Sequence, residues 1–456
     1  MADAPIDVGA LLDSRPWSGY QKILVAMVAA TVVIDGADNQ LLGIAIPELM
    51  RDWSAPRAAF APVLASGLVG MMIGAGIAGL IGDRLGRKVA LLGSVTLFGV
   101  LTLAAAAADG PVMLAALRFV AGLGLGGAMP NAAALTSEFV PQRQRAIAVT
   151  LAIVCVPVGG MLASAIAEQV LPVLGWRMLF VIGGVLPLAI AGTLKVTLPE
   201  SPRYLARHAD RRSELDRLLR RFGHDPSPDA AYLDPSERGS GYVSVRALFE
   251  PGIARDTVGL WLAFFANLLA VYCCFNWVPA MLAGAGFGAT ASRGLLAFNL
   301  GGVIGAFGGA ALVTRFGSRP TLLSLSASAV AVALVMAAMP IAASAPIAAI
   351  GMLAVLGCLL NTVQIAMYSL AVHVYPTSIR ATGIGWALLT GRSGGVLSSY
   401  TGEWALATGG SAAFFGLIAA AMGAVVWALA IIRRHIPRER AVIMRIDGHV
   451  QITGAP

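Results

Sequence analysis

"GLIGDRLGRK" (79–88) and "AALVTRFGSR" (310–319) stand 231 residues apart and read as two copies of one short basic loop. Apolar runs of about 20 residues, the length a helix needs to cross a bilayer, flank each copy. A second pair of stretches repeats at an offset of 235: "VPQRQRA" (140–146) falls on "YPTSIRA" (375–381), and "PVGGMLAS" (157–164) on "RSGGVLSS" (392–399). Corresponding loops predict two structural halves about a pseudo-two-fold axis along the membrane normal. In such proteins the binding site lies between the halves near mid-membrane.

Working outward from these loops, twelve apolar segments emerge: 22–47, 59–82, 88–108, 112–138, 145–170, 176–198, 256–285, 291–314, 320–340, 346–375, 381–403 and 411–432. Segments of this length span as helices, because hydrocarbon offers the backbone no outside partner. The fold class read here is an all-α polytopic membrane protein with twelve transmembrane helices in two six-helix halves. Composition agrees. The chain is 57% hydrophobic and 12% charged, with a mean hydropathy of +0.78, whereas soluble domains carry about 25% charged residues. The organisation reads as an N-terminal half (1–198), a linker loop (199–255), a C-terminal half (256–433) and a tail (434–456).

The net charge of +8 does not indicate nucleic acid, because the basic residues fall in short clusters between apolar segments rather than on one face. Cys155, Cys273, Cys274 and Cys358 all lie in apolar segments, so free thiols are expected. The N-terminus lacks a basic stretch followed by an apolar core, and the first segment is expected to serve as the insertion signal. The short loops on one side hold Arg84, Arg87, Lys88, Arg143, Arg145, Arg315, Arg319 and Arg380; those on the other hold Arg51, Arg57, Arg177 and Arg293. The linker and "RRHIPRER" are also basic, so both termini are expected in the cytoplasm. Within the linker, Leu215, Leu218, Leu219 and Phe222 recur at helical spacing among arginines and predict a short amphipathic helix on the inner leaflet or against the bundle. "HDPSPDAAYLDPSERGSG" reads as a flexible linker.

Several motifs carry a resemblance. "GLIGDRLGRK", "RFVAGLGLGG" and "LPESPRYL" resemble signatures of the major facilitator superfamily. "DGADNQLLGIAIP", "GLGLGGAMPNAAALTSEFVPQRQRA" and "LAVHVYPTSIRATGIGWALLTGRSGG" are similar to its aromatic acid:proton symporter family. The resemblance covers nearly the whole chain. It implies a bacterial inner-membrane symporter that imports an aromatic carboxylate of the hydroxybenzoate or lignin-derived type with protons, in the service of aromatic catabolism. It further implies no cofactor beyond the coupling protons, and a functional monomer. One departure is Thr314, which stands where the first loop copy has Asp83.

The charges inside the segments carry the chemistry. Asp35 and Asp38 lie about 20 and 24 Å along segment one from Lys22. Arg118 sits roughly 9 Å inside one end of segment four, and Arg392 about 17 Å inside segment eleven. Ionisable groups at such depth cost a few kcal/mol each and mark ion or substrate pathways. Buried pairs that merely hold helices together are the bland alternative, but apolar packing does that at lower desolvation cost. Asp35 and Asp38 share a face three residues apart, so the pair tends to hold a proton and titrate as a unit. Arg118 can pair with Asp38. Arg392 replaces what is Pro157 in the other half and can grip a planar carboxylate with two parallel hydrogen bonds.

Asn39, Asn131, Asn267, Tyr272, Asn276, Trp277, Gln364, Tyr368 and Trp386 are the expected cavity lining for a benzoate-like ligand. Glu138 and His373 correspond between the halves and join Asp83, Arg84, Arg87, Arg145 and Arg380 in an expected gate of ion pairs that form in one state and break in another. No nucleophile–base set, nucleotide loop or metal cluster is legible, which argues against an enzyme. A proton-driven exporter of organic anions, or a transporter that also reports aromatic acids, uses the same inventory.

Overall fold

The computed structural model describes residues 6–224, 232–233, 244–343, 346–438, 442–446 and 449–453. Most of the stretch read as a flexible linker lies outside the described residues. Among these residues, ten helices are long and apolar enough to cross a membrane. In chain order they are α1 (Gly19–Asp52), α2 (Ala61–Leu85), α3 (Arg87–Ala105), α4 (Pro111–Phe139), α5 (Gln142–Thr197), then, beyond the linker helix α6 (Arg212–Arg221), α7 (Ala254–Leu282), α8 (Ser292–Phe316), α9 (Ser318–Ala338), α10 (Pro346–Val374) and α11 (Arg380–Ile431).

The twelve expected spans and the ten helices differ at two places. α5 has 56 residues and α11 has 52, each about 80 Å of helix and enough for two crossings of a ~30 Å core. Each is broken where the sequence reading put a loop: at Gly175 in α5, and at Gly409 and Gly410 in α11. The backbone leaves helical geometry at these glycines, so each long helix is kinked there.

The repeat seen in the sequence is a repeat of backbone geometry. Gly86 (φ 107°) separates α2 from α3, and Gly317 (φ 82°) separates α8 from α9. That left-handed backbone is open to glycine at little cost. Each turn is then tied by the chain that follows its half's last span. The Glu200 carboxylate accepts from the Lys88 amide (2.9 Å). In the second half, Ser318 N donates to the Ile436 carbonyl (3.0 Å) and Ser318 Oγ accepts from Ile436 N (2.8 Å). A carboxylate clasp in one half is replaced by a backbone clasp in the other.

The end carrying Arg84, Arg145 and Arg380 is called the basic end below, and its opposite the far end. At the basic end α6 buries Leu215, Leu218, Leu219 and the following Phe222. The Phe222 ring meets Tyr20 (6.1 Å) and Phe139 (6.3 Å), so the amphipathic helix lies on the bundle and covers the ends of α1 and α4. Ile6–Asp7 pairs in parallel with Tyr232–Leu233, which ties the N-terminal segment to the linker.

The halves meet along α1 and α7, α2 and α11, and α5 and α8. A Cβ on Gly43 would stand 2.5 Å from the Phe275 carbonyl oxygen, so the α1 and α7 backbones touch there. Gln40 and Asn299 exchange two amide hydrogen bonds (3.1 and 2.7 Å), with both side chains fully buried. Nearer the far end, Arg293 pairs with Glu168 (2.5 Å).

Candidate functional site

Segment one brings its two aspartates to different neighbours. Asp38 is 1% exposed and sits 3.1 Å from Nη2 of Arg118, itself 5% exposed. The same Arg118 nitrogen donates to the Asp38 backbone carbonyl (3.1 Å). Thr102 Oγ1, from α3, donates to Asp38 Oδ1 at 2.6 Å and lies 3.5 Å from Arg118 Nη1. Three helices thus close a buried ring around one carboxylate. A charge without water needs a paired countercharge and hydrogen bonds, and Asp38 has both.

Asp35 has neither of these partners. It is buried, and its Oδ1 has no hydrogen-bond partner among the described residues. The charges that act on it are those of Asp38 and of Arg392 from the other half. Arg392 Nη1 crosses the interface to donate to the Met71 carbonyl of α2 (3.1 Å). Its charge also reaches the hydroxyls of Tyr272 and Tyr368. Asn39 Nδ2 donates to the Tyr272 hydroxyl (3.3 Å), and Asn267 Nδ2 to Gln364 Oε1 (2.6 Å). Among the described residues, Asn267 Oδ1 and Asn276 Nδ2 are left buried without a hydrogen-bond partner. Such atoms carry a desolvation cost until water or ligand completes them. The arrangement is a cation, an unpaired acid and open amides at one depth, walled by tyrosines, which can receive an anion and a proton together.

A void of about 20 Å³, room for one water, lies among Asn39, Met71, Arg118 and Asn276. A larger cavity of about 660 Å³ opens at the far end between the halves, lined by Pro47, Arg51, Arg57, Met281 and Leu406 among others. Gly43 against Phe275 and the Gln40–Asn299 pair stand between this cavity and the polar cluster along α1. In this conformation the cluster is contracted and shut off from that side.

Three residues expected in the lining are turned elsewhere. Asn131 donates to the carbonyls of Ala78 (3.2 Å) and Gly127 (2.9 Å) and braces α2 against α4 near the basic end. Trp277 is fully buried, with Nε1 on the Ser398 carbonyl (3.3 Å), inside the second half. Trp386 stacks on Trp261 (6.0 Å, 19°) toward the basic end and is 38% exposed. The charge of a segment reveals its depth, but not which helix each face meets.

The expected gate residues separate into two groups. Arg87 bonds Asp83 (2.5 Å) one turn back and lies 3.8 Å from Glu138. Ser201 Oγ donates to the same Glu138 carboxylate and caps the short helix Pro202–Ala206. The Tyr204 hydroxyl reaches the Arg84 carbonyl (3.4 Å). Arg145 lies half-buried near the start of α5. In the second half His373 is exposed, and Arg380 Nε turns back to the Tyr375 carbonyl (3.3 Å).

Sequence reasoning passed over Thr102, Gln40, Asn299, Glu200 and Ser201. Gln40 and Asn299 carried a usable signal, being amides inside apolar segments. Thr102 carried none, since a threonine in a helix usually bonds a carbonyl of its own preceding turn.

The match to known proteins extends over nearly the whole chain. The family model described as Major Facilitator Superfamily matches residues 28–399. A gallate transporter of Pseudomonas putida is 34% identical over 410 residues, 89% of this chain and 90% of the relative. The 4-hydroxybenzoate transporter PcaK of the same species is 35% identical over 412 residues, with coverage of 89% and 90%. Among solved structures, the inward open conformation of the xylose transporter XylE from E. coli shares the fold with a TM-score of 0.69. It is 17% identical, with 91% of this chain and 97% of that one covered. With its two halves of membrane-crossing helices and its matching loops, the chain is a multi-pass membrane transporter, not an enzyme, and belongs to the major facilitator superfamily.

Proposed function

We propose that this protein is a symporter of the bacterial inner membrane that imports an aromatic carboxylate together with protons by alternating access. The observation that carries this reading is the placement of Arg392 against the unpaired Asp35 across the interface between the halves. A carboxylate ligand offers Arg392 a bidentate partner, and the arginine then no longer compensates Asp35. Substrate binding and protonation of Asp35 thereby favour each other. Asp38, held by Arg118, is the second carboxylate of the coupling pair. Tyr272 and Tyr368 supply apolar faces and hydroxyls suited to a phenolic ring. The transporters of gallate and 4-hydroxybenzoate among its relatives support this substrate class.

The basic end faces the cytoplasm by the distribution of lysine and arginine. A monomer suffices, because the pathway lies between the two halves of one chain. Uptake of labelled benzoate, 4-hydroxybenzoate and gallate into proteoliposomes, with and without an inward proton gradient, tests the proposal. Accumulation that needs the gradient and collapses with a protonophore is expected. Accumulation driven only by an outward gradient would make the protein an exporter, and binding without flux would make it a receptor.

A further inference from the structure

We infer that Thr102 is a positioning residue of the coupling machinery: its hydroxyl holds Asp38 in register with Arg118, so that proton movement is tied to substrate movement. The inference rests on the proton-coupled reading above and adds to it a residue that neither the sequence motifs nor the charge pattern single out.

A threonine hydroxyl has one proton to give and lone pairs to receive. Arg118 is always a donor, so the 3.5 Å approach of its Nη1 to Thr102 Oγ1 uses the oxygen as an acceptor. The single hydroxyl proton is then free to point at Asp38 Oδ1, 2.6 Å away, a length typical of an O–H donating to a carboxylate. Thr102 is fully buried, so no water competes for it. Oδ2 faces Nη2 of Arg118 as an ion pair but accepts no hydrogen bond among the described residues, so the hydrogen bond that sets the plane of the carboxylate is the one from Thr102.

Among the described residues, Thr102 is the side chain that hydrogen-bonds the Asp38 carboxylate. On the α5 side Asp38 faces Leu162, Ala163, Ile166, Leu179 and Ile182, which offer no polar side chain. The nearby titratable or charged groups are Asp35 on the same helix, Arg118 on α4, and Arg392 and Tyr272 beyond Asp35 in the other half. The Thr102 methyl points to α5, where a Cβ on Gly183 would lie 3.4 Å from it. The hydroxyl therefore cannot swing away without placing its methyl against the ion pair.

A carrier leaks if its acid can change protonation without the matching change of state. Removing the hydroxyl frees the carboxylate to rotate and leaves it only the charge of Arg118 as a partner. Exchange of substrate across the membrane needs no net proton flux, whereas accumulation does, so the two should separate.

The test uses the full chain in proteoliposomes with labelled 4-hydroxybenzoate as the probe. Counterflow exchange and accumulation under an inward proton gradient are measured side by side. Thr102→Val keeps the shape and removes the hydroxyl. It should accumulate about tenfold less while exchanging within a few-fold of wild type, in line with loss of a hydrogen bond to a charged group. Thr102→Ser restores the hydroxyl and should restore accumulation. Thr102→Ala carries the same expectation as Thr102→Val and replaces it if the valine variant fails to insert. Full accumulation by the valine or alanine variant overturns the inference, as does failure of serine to rescue. Equal loss of exchange and accumulation makes the residue merely structural and also overturns it. A wild type that exchanges without responding to the gradient removes the coupling reading first, an outcome seen in the wild-type lanes alone.

Discussion

Arg392 holds a guanidinium near mid-membrane, with one nitrogen on the Met71 carbonyl and its charge acting on Asp35, Tyr272 and Tyr368. A carboxylate brought to that depth loses its water, and a positioned cation offsets the loss. Arg392→Lys keeps the charge but not the fork, so binding of 4-hydroxybenzoate should weaken about tenfold, or ~1.4 kcal/mol. Arg392→Ala should leave binding barely measurable by calorimetry on purified protein that still inserts. Near-wild-type affinity in the alanine variant would move the anchor, with Arg118 next in line. The acids separate from this role. Asp35→Asn and Asp38→Asn should abolish proton-driven accumulation, with substrate binding surviving in at least one of them. Gradient-driven uptake at full level by both would end the coupling assignment. At this scale Asp35, Asp38, Arg118 and Arg392 were legible, because a charge in an apolar helix is costly and so stands out. Thr102 was not, because a neutral hydroxyl costs little and its partner lies 64 residues away.

Elements answer to their clasps. The segment after α11 is a strap: Arg433 N donates to Asp256 (2.7 Å), and His435 sits between Ser318 Oγ (3.2 Å) and the Leu429 carbonyl (3.2 Å). The carbonyl requires a proton on Nε2, so Nδ1 is the acceptor of a neutral ring. Burial holds the His435 imidazole below its usual 6.5, and the nearby Arg319 adds to this. The docked strap therefore binds a proton less readily than the undocked one. Docking is at full strength above about pH 6.5 and weakens as the pH falls below it. Hydrogen exchange of residues 433–438, corrected for intrinsic rates, should show lower protection at pH 5 than at pH 7.5. His435→Gln should flatten that difference, and equal protection at both values in wild type would refute the pH dependence of docking. The linker helix shows how far an element can be read. Its apolar face was plain in Leu215, Leu218, Leu219 and Phe222. That this face covers Tyr20 and Phe139 rather than lipid was decided by the rings it meets.

Across the whole molecule, the barrier at the far side of the cluster is built from both halves. The Gln40–Asn299 pair is buried in it, and any far-end opening has to break it. Gln40→Leu would leave the Asn299 carbonyl oxygen buried and unpaired at a cost of about 1–3 kcal/mol, which shifts the balance roughly 5- to 150-fold toward states open at the far end. Spin labels at Ala55→Cys and Ser411→Cys, on opposite walls of the far-end cavity, should report a larger long-distance population in this variant. An unchanged distance distribution would remove the pair from the barrier.

The bilayer explains which parts of this protein could be read from the sequence. Hydrocarbon forces every crossing to be a helix of set length, so the apolar runs, the repeated loops and the depth of each buried charge follow from the chain alone. The turns at Gly86 and Gly317 were implied by the repeat for the same reason. Rotation of each helix about its axis is not encoded that way, since nearly every face of these segments is apolar. Packing against neighbours decided that Asn131, Trp277 and Trp386 brace helices, that Asp38 belongs to Arg118 and Thr102, and that Asp35 is left facing Arg392. Those pairings join residues tens to hundreds of positions apart, and only the folded chain brings them within reach of a hydrogen bond.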